Sequence, residues 1–476
     1  MERLNYAALE ARGYDGYLLK DAPERVLQFG EGNFLRAFAE DFLDQMNEKA
    51  GFHGKAVLVQ PRGGHPDAAD RFTEQDGLYT LILRGRENGE PVERRRVISC
   101  VSRCLDPKRD WPVLLECAEN PDLRFILSNT TEAGIVFDPA CKPDDAPPSA
   151  FPAKLTAFLY RRWKLGGRGF LILSCELIDH NGDELKKRVL QYRKLWALED
   201  AFADWVEAEN LFCSTLVDRI VTGSPRDALP GLWEELGYED RLLDTGEVFA
   251  AWVIEGPQSI KAELPFEAAG LPIQVVDNVT PYKQRKVRIL NGAHTSMVLA
   301  AHLAGKTIVR ECMEDGVISG FLNRALFDEI IPTLDLPRAE LDAFAASVMD
   351  RFNNPYIDHR LLDIALNSTA KWKARVLPSV TEYVKRTGSL PKRLTFSFAA
   401  LLAFYQKSGA ARDDAWVLDF YKAHEADGPD ALASAVVENE QMWDGVLSGI
   451  PGFADAVAGY LKRIAAVGMY EAMREL

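Results

Sequence analysis

Arg25-Val-Leu-Gln-Phe29-Gly30-Glu31-Gly32-Asn33-Phe34-Leu35-Arg36 is the stretch whose reading decides the fold. A short β-rich run, Arg25–Phe29, ends in two glycines one residue apart, and a helical pattern follows to about Ala50. A strand that turns on glycine into a helix lets the backbone come close to a pyrophosphate. The third glycine of the dinucleotide fingerprint falls at Leu35, so this motif alone leaves a plain strand-to-helix turn equally open.

Outward from that turn, β-rich runs alternate with helical ones. Lys55–Gln60, Leu123–Ser128 and Gly169–Ser174 read as further buried strands, the second of these ending in Asn129-Thr130-Thr131-Glu132. Leu78–Leu83 and Arg95–Val101 flank Asn88-Gly89, a hairpin dipeptide, which predicts an antiparallel insertion. Pro143–Pro152 is a loop, and a helix follows it. Alternation of this kind predicts an α/β unit with a Rossmann-type, mostly parallel sheet covered on both faces. Beyond about residue 280 the period becomes helical, in Val287–Leu303, Leu341–Phe352, Leu394–Tyr405 and Ala456–Met473. The expectation is a dinucleotide-binding domain over residues 1–280 with insertions, followed by an all-helical substrate and catalytic domain over 281–476.

Composition narrows the function classes. With 56 basic and 71 acidic residues the formal net charge is −15, which argues against nucleic acid, whose binding rests on cations meeting phosphates. An anionic ligand would need a local basic pocket. No apolar run approaches a membrane span, and the first residues lack the pattern of a signal peptide. Seven scattered cysteines, with no second Cys/His pair at zinc spacing, point to reduced thiols in a cytoplasm and to no metal. The sequence does not fix the oligomeric state.

Chemistry concentrates in Lys286-Val-Arg-Ile-Leu-Asn291-Gly-Ala-His294, just past the change of period. A lysine, an amide and an imidazole are what a metal-free alcohol or ketone reaction needs: a base, an oxyanion donor and an orienting group. On an α-helix, at about 100° per residue, all three share one arc. Lysine serves as a base only if burial or nearby cations lower its pKa, and Lys283, Arg285 and Arg288 are close in sequence. A surface lysine near a core histidine is the plainer reading of these nine residues taken alone. Gln60-Pro61-Arg62 ends the second strand without the carboxylate that grips the ribose of NAD, and Arg62 suits a 2′-phosphate or an adenine face as well as open solvent.

Taken together these segments resemble the polyol-specific long-chain dehydrogenases, the mannitol dehydrogenase family. Lys286, Asn291 and His294 match that family's lysine base, oxyanion asparagine and substrate-binding histidine. Phe212-x-x-Thr215-x-Val217-Asp218-Arg219-Ile220 matches its signature, departing at Asn210 and Thr222. Gly30-x-Gly32-x-Phe34-x-Arg36-Ala37, Arg351-Phe-x-Asn-Pro355-x-Ile357 and Arg375-x-Leu-Pro378 match further segments, in order along the chain. Leu27–Arg36, Ser128–Gly134, Asn291–Thr295 and His359–Ser368 look most like a branch acting on a ketohexuronate, with tagaturonate the implied substrate.

The resemblance implies NAD as cofactor, held by Phe29, Gly30, Gly32, Asn33, Phe34, Arg62, Asn129, Thr130 and Glu132, and a small anionic sugar acid as substrate. The mannitol branch has a second oxyanion asparagine where Leu177 stands here, so Asn291 acts alone or with a donor such as Asn129. It also has a glutamate where Lys283 stands, and a substrate-facing arginine where Asp363 stands. Arg360 with Lys371 is the expected carboxylate contact, the alternative being an ion pair of Arg360 with Asp358 or Asp363. Asp218 is expected to wall the same cleft. Two rivals stand: the same chemistry on fructuronate or a neutral polyol, and a non-catalytic dinucleotide sensor.

Overall fold

The computed structural model describes residues 1–61, 67–131, 133–407 and 409–476. Two compact units divide it, one of Met1–Arg84 with Val92–Val279, the other of Gly85–Pro91 with Thr280–Leu476.

The first unit is built on strands β1 (Glu24–Phe29), β2 (Lys55–Val59), β3 (Tyr79–Glu87), β4 (Glu90–Ile98), β5 (Val101–Leu105), β6 (Phe125–Ser128), β7 (Leu171–Ser174), β8 (Leu211–Asp218), β9 (Asp244–Glu247), β10 (Ala251–Glu255) and β11 (Ile273–Val276). Eight of them form one sheet in the order β11-β10-β8-β7-β6-β1-β2-β5. Every pairing in it is parallel except that of β8 with β10. The chain starts in the middle, runs to one edge through β2 and β5, then returns to the other side of β1 as β6. That is a doubly wound sheet, and its crevice opens between the carboxyl ends of β1 and β6.

Side chains explain why the sheet is central. Val26, Ala56, Leu58, Phe125, Leu127, Leu171 and Leu173 enter one apolar cluster. Their neighbours Leu27, Val57, Val59, Ile126 and Ile172 enter another on the opposite face. Strands buried on both faces read as continuous apolar runs, which is how the sequence presents them. The Asn88-Gly89 turn has φ of 52° and 82°, the left-handed pair a tight hairpin needs. The expected run Arg95–Val101 straddles two strands: β4 belongs to a small sheet ordered β4-β3-β9, and β5 to the main one. The helix expected from Asn33 to Ala50 is two, Asn33–Arg36 and Ala39–Ala50.

From Thr280 on, the second unit is helical throughout its named elements. Helices occupy Arg338–Phe352, Lys392–Lys407 and Phe453–Val467, the last stopped by Gly468 at φ 86° before Met469–Arg474. Lys392–Lys407 is a core helix: Leu394, Phe396, Phe398, Leu401, Leu402 and Phe404 are fully buried around its circumference. It packs on Ala293–Leu303, whose residues Thr295–Ala301 are all buried. Among the described residues no helix is long and apolar enough to cross a membrane.

Candidate active site

In the first unit a candidate nucleotide cradle is set by β1 and its turn. Gly30 has φ +127°, and a Cβ there would stand 2.9 Å from the Asn129 carbonyl oxygen, so glycine is required twice over. Its N–H donates to the Val59 carbonyl at 2.9 Å, and Asn129 N–H donates to Phe29 at 3.0 Å, which ties three strand ends together. A Cβ on Gly32 would meet nothing within 4 Å. The start of the Asn33–Arg36 helix is thus open on one side, and this cradle fits the pyrophosphate of a dinucleotide. Phe34 stacks on Phe38 with ring centroids 5.0 Å apart and belongs to the core edge.

Beside the turn, Ser128 Oγ, Thr130 N–H and Thr130 Oγ1 donate to the Glu176 carboxylate at 3.1, 3.1 and 3.0 Å. Burial pushes the Glu176 carboxyl up, and these donors hold it down. Asn129 Nδ2 donates to the Cys175 carbonyl at 2.9 Å. A cavity of about 220 Å³ lies between the loops after β2 and β6, lined by Pro61, Thr130, Gly134, Ser149 and Phe151. A second of about 460 Å³ touches Gln60, Lys108 and Lys154. Lys154 is 4% exposed and donates to the Ser149 and Pro61 carbonyls at 2.8 and 3.2 Å, with burial pulling its pKa down to about 8.

In the helical unit the backbone departs from the expected α-helix. Thr280–Arg285 is α-helical, Lys286–Gly292 is a π-helix, and Ala293–Leu303 is α-helical again. In a π segment backbone hydrogen bonds run from i to i+5, so five residues make a little over one turn. Asn291 therefore comes nearer the Lys286 side of the helix than on an α-helix, which would place it well round the cylinder. Gly292 allows a close backbone approach: a Cβ there would stand 3.0 Å from the Arg375 carbonyl oxygen and 3.5 Å from that of Val287.

His294 follows, its ring stacked on Phe352 at 3.8 Å and 12°, and edge-on to His359 at 5.3 Å and 89°. Burial, then the charges of His359, Arg351 and Arg375, hold its pKa well below the usual imidazole range. It is a neutral ring at pH 7, suited to orienting a hydroxyl. Its Nε2 is buried and makes no hydrogen bond with any described residue. A buried polar atom without a partner is costly, and such atoms gather where a ligand completes the bonding.

Residues 24–268 match the mannitol dehydrogenase Rossmann domain, and residues 278–465 the mannitol dehydrogenase C-terminal domain. The chain belongs to the mannitol dehydrogenase family. It is similar to the altronate oxidoreductase of Bacillus subtilis strain 168, 45% identical over 469 residues that cover 97% of this chain and 96% of that protein. The altronate oxidoreductase of Escherichia coli O7:K1 strain IAI39 is 45% identical over 471 residues, 95% of this chain and 97% of its own. Among solved structures, substrate-free D-sorbitol dehydrogenase matches with a TM-score of 0.81 at 26% identity over 96% of each chain. The Pseudomonas fluorescens mannitol 2-dehydrogenase complex with NAD and D-mannitol shares the fold, with a TM-score of 0.70 at 23% identity over 99% of each chain. Like the family, this member is an oxidoreductase that uses an NAD-type dinucleotide on a secondary alcohol or its ketone.

The other residues singled out in this family member fall as follows. Arg62 and Glu132 lie outside the described residues. Asp218 is buried at the carboxyl end of β8. Its neighbour Arg219 is bound to Asp41 at 2.8 Å. Of the cations near Lys286 in sequence, Arg285 is held by Glu340, and Arg288 donates to the Thr333 carbonyl at 3.0 Å. Lys283 is partly buried, which lowers its pKa. Arg360 is exposed, while Asp358 pairs with Arg310 at 2.6 Å and Asp363 lies 3.9 Å from Arg412. Lys371 donates to the Ile364 carbonyl at 2.8 Å. Leu177, 63% exposed, offers no hydrogen bond, and Asn129 spends an amide hydrogen within its own sheet. Sequence reasoning gave no role to Glu176, Phe352 or Arg375, although Arg375 ends the richest basic run of the helical half. Only Arg375 carried a signal, standing four residues after Lys371 on one helix. Among the described residues no group of His, Cys, Asp and Glu is placed to hold a metal ion.

Proposed function

We propose that this chain reduces D-tagaturonate to D-altronate, reversibly, with NADH as reductant, in the cytoplasm. The bound dinucleotide supplies the hydride that goes to the ketone carbon. Gly30 and Gly32 let the backbone approach the pyrophosphate, and Phe29, Asn33, Phe34, Asn129 and Thr130 frame that cradle. Lys286, as its ammonium, gives a proton to the oxygen as the carbonyl becomes an alcohol. Asn291, a little over one π turn on, donates to the oxygen while it carries negative charge. Neutral His294 binds a substrate hydroxyl through Nε2. In the reverse direction Lys286 Nζ accepts the hydroxyl proton. Asp218 and Lys371 are substrate contacts in this reading, and NAD is the cofactor.

The observation that carries the reading is the π segment, which turns an amide donor toward the side of the helix that bears the lysine and is followed by an imidazole with a buried, unpartnered nitrogen. The 45% identity with altronate oxidoreductases supports the substrate. The test is oxidation of NADH, and separately NADPH, with tagaturonate, fructuronate and fructose side by side. Tagaturonate with NADH is expected to give the highest kcat/KM. A neutral ketose reduced best would overturn the substrate, and tight dinucleotide binding with no turnover on any of them would favour a sensor.

A further inference from the structure

The helix Ser368–Arg375 carries two cations, Lys371 and Arg375, four residues apart and therefore on one face. Like charges at that spacing destabilise a helix. Neither forms an ion pair with any described carboxylate: Lys371 has the Ile364 carbonyl, and Arg375 has one long contact, Nη1 to Thr295 Oγ1 at 3.5 Å. The chain around them is rich in acid, and several other arginines in this unit use it. Arg285 is paired with Glu340, Arg310 with Asp358, Arg338 with Asp342, Arg386 with Asp335 and Arg393 with Glu329. Leaving a half-buried guanidinium without an acid in such surroundings is a choice that needs a ligand to offset it.

Position makes the pair relevant to the reaction. Thr295 follows His294 directly, and the Arg375 carbonyl is the atom that Gly292 makes room for. Burial lowers the pKa of both cations, and the charge of Arg375 reaches Lys371 and His294. Arg360, by contrast, is exposed at the start of the Leu361–Ile364 helix.

We propose that the Lys371–Arg375 pair seats the carboxylate of the substrate, with Arg375 as its two-pronged contact and the residue that separates sugar acids from neutral sugars. A planar fork of N–H donors matches a carboxylate in a way a lysine cannot. This rests on the sugar-acid reading above and sharpens it.

The experiment measures KM and kcat for tagaturonate and for the neutral ketose tagatose in the wild type and in Arg375→Met, Arg375→Lys, Lys371→Met and Arg360→Met, with melting temperature and NADH binding as controls. The proposal expects Arg375→Met to raise KM for tagaturonate about 100-fold while leaving reduction of tagatose unchanged or improved. Arg375→Lys should recover part of the loss, and Lys371→Met should show a smaller one of the same kind. Equal loss on acid and neutral substrates would make Arg375 a support of the π segment and overturn the proposal, as would a KM defect found in Arg360→Met alone. Should Arg375→Met lose its melting transition, Arg375→Lys and Lys371→Met decide by the same acid-to-neutral ratio. A wild type that prefers tagatose fails the sugar-acid reading itself, before any variant is compared.

Discussion

The glycine turn after β1 and the π segment at Lys286 are both places where the backbone leaves regular structure, yet they solve opposite problems. Around Gly30 most polar groups are matched: strand ends exchange backbone hydrogen bonds, and three donors from Ser128 and Thr130 converge on Glu176, though Gln28 Oε1 and Ser174 Oγ are buried without a described partner. Around Lys286–His294 bonds are left open: Nε2 of His294 has no described partner, and two cations on the adjoining helix form no ion pair with a described carboxylate. A surface that holds a cofactor through many turnovers gains from being preformed. A site that must grip a changing substrate keeps its polar groups for the moment when charge develops.

Removing the proposed base breaks the comparison most sharply. Lys286→Ala is expected to lower turnover by about 10³-fold, within the usual worth of a positioned proton donor, and to leave NADH affinity nearly unchanged by fluorescence titration. Loss of cofactor affinity in step with turnover would show that the two regions do not divide the labour in this way.

The first region can be probed through its buried acid. Glu40, fully buried, accepts from Gln28 at 2.7 Å and lies 2.8 Å from the Tyr79 hydroxyl, and burial pushes its pKa up to about 7. Tyr79 also reaches the Arg36 carbonyl at 2.8 Å, so a protonated Glu40 can donate to Tyr79 while Tyr79 donates to Arg36. A raised carboxyl pKa means the folded state holds its proton longer than the unfolded chain. The contribution of Glu40 is then fully present below about pH 4.5 and lost as pH rises to about 7. Glu40→Gln should melt with the wild type at pH 4.5 and be more stable at pH 8, by at most about 3 kcal/mol. Equal stabilities at both pH values would mean that Glu40 ionises without penalty.

Gly30→Ala tests whether the turn is as rigid as its bonding suggests. An L side chain at φ +127° with its Cβ 2.9 Å from a carbonyl costs about 1–3 kcal/mol. The expected outcome is a lower melting temperature and weaker NADH binding, with kcat at saturating cofactor held within a few-fold.

Sequence period made much of the sheet legible, because strands buried on both faces leave unbroken apolar runs such as Lys55–Val59. Strands β8 to β11 were not visible in that way. Asp244-Thr-Gly-Glu247 has no apolar residue, and is fully buried through tertiary packing that no local pattern encodes. The lysine, asparagine and histidine stood out by residue type, but their geometry did not. Periodicity assumes one helical pitch, and Lys286–Gly292 adopts another, its last residue packed close to a carbonyl 83 positions later, at Arg375. Arg375 was hidden for a related reason: the meaning of a cation lies in which acids are near it, and the pairing of Arg285 with Glu340 spans 55 positions.

The smallest expected effect is the one that sharpens the comparison furthest. Gly292→Ala puts a methyl 3.0 Å from the Arg375 carbonyl, tight enough that one neighbour must give by a few tenths of an ångström. Alanine also favours a regular α-helix over glycine by about 1 kcal/mol. The two effects nearly cancel in stability, so the melting temperature should move little. They do not cancel in geometry, since both push the segment from π toward α, where Asn291 lies farther round the helix from Lys286. Turnover should fall about tenfold, as expected when an oxyanion donor is misplaced and not deleted, with KM for NADH unchanged. A melting temperature far below the wild type's with kcat intact would mean that the π turn serves packing, and that Asn291 reaches the oxygen by another route.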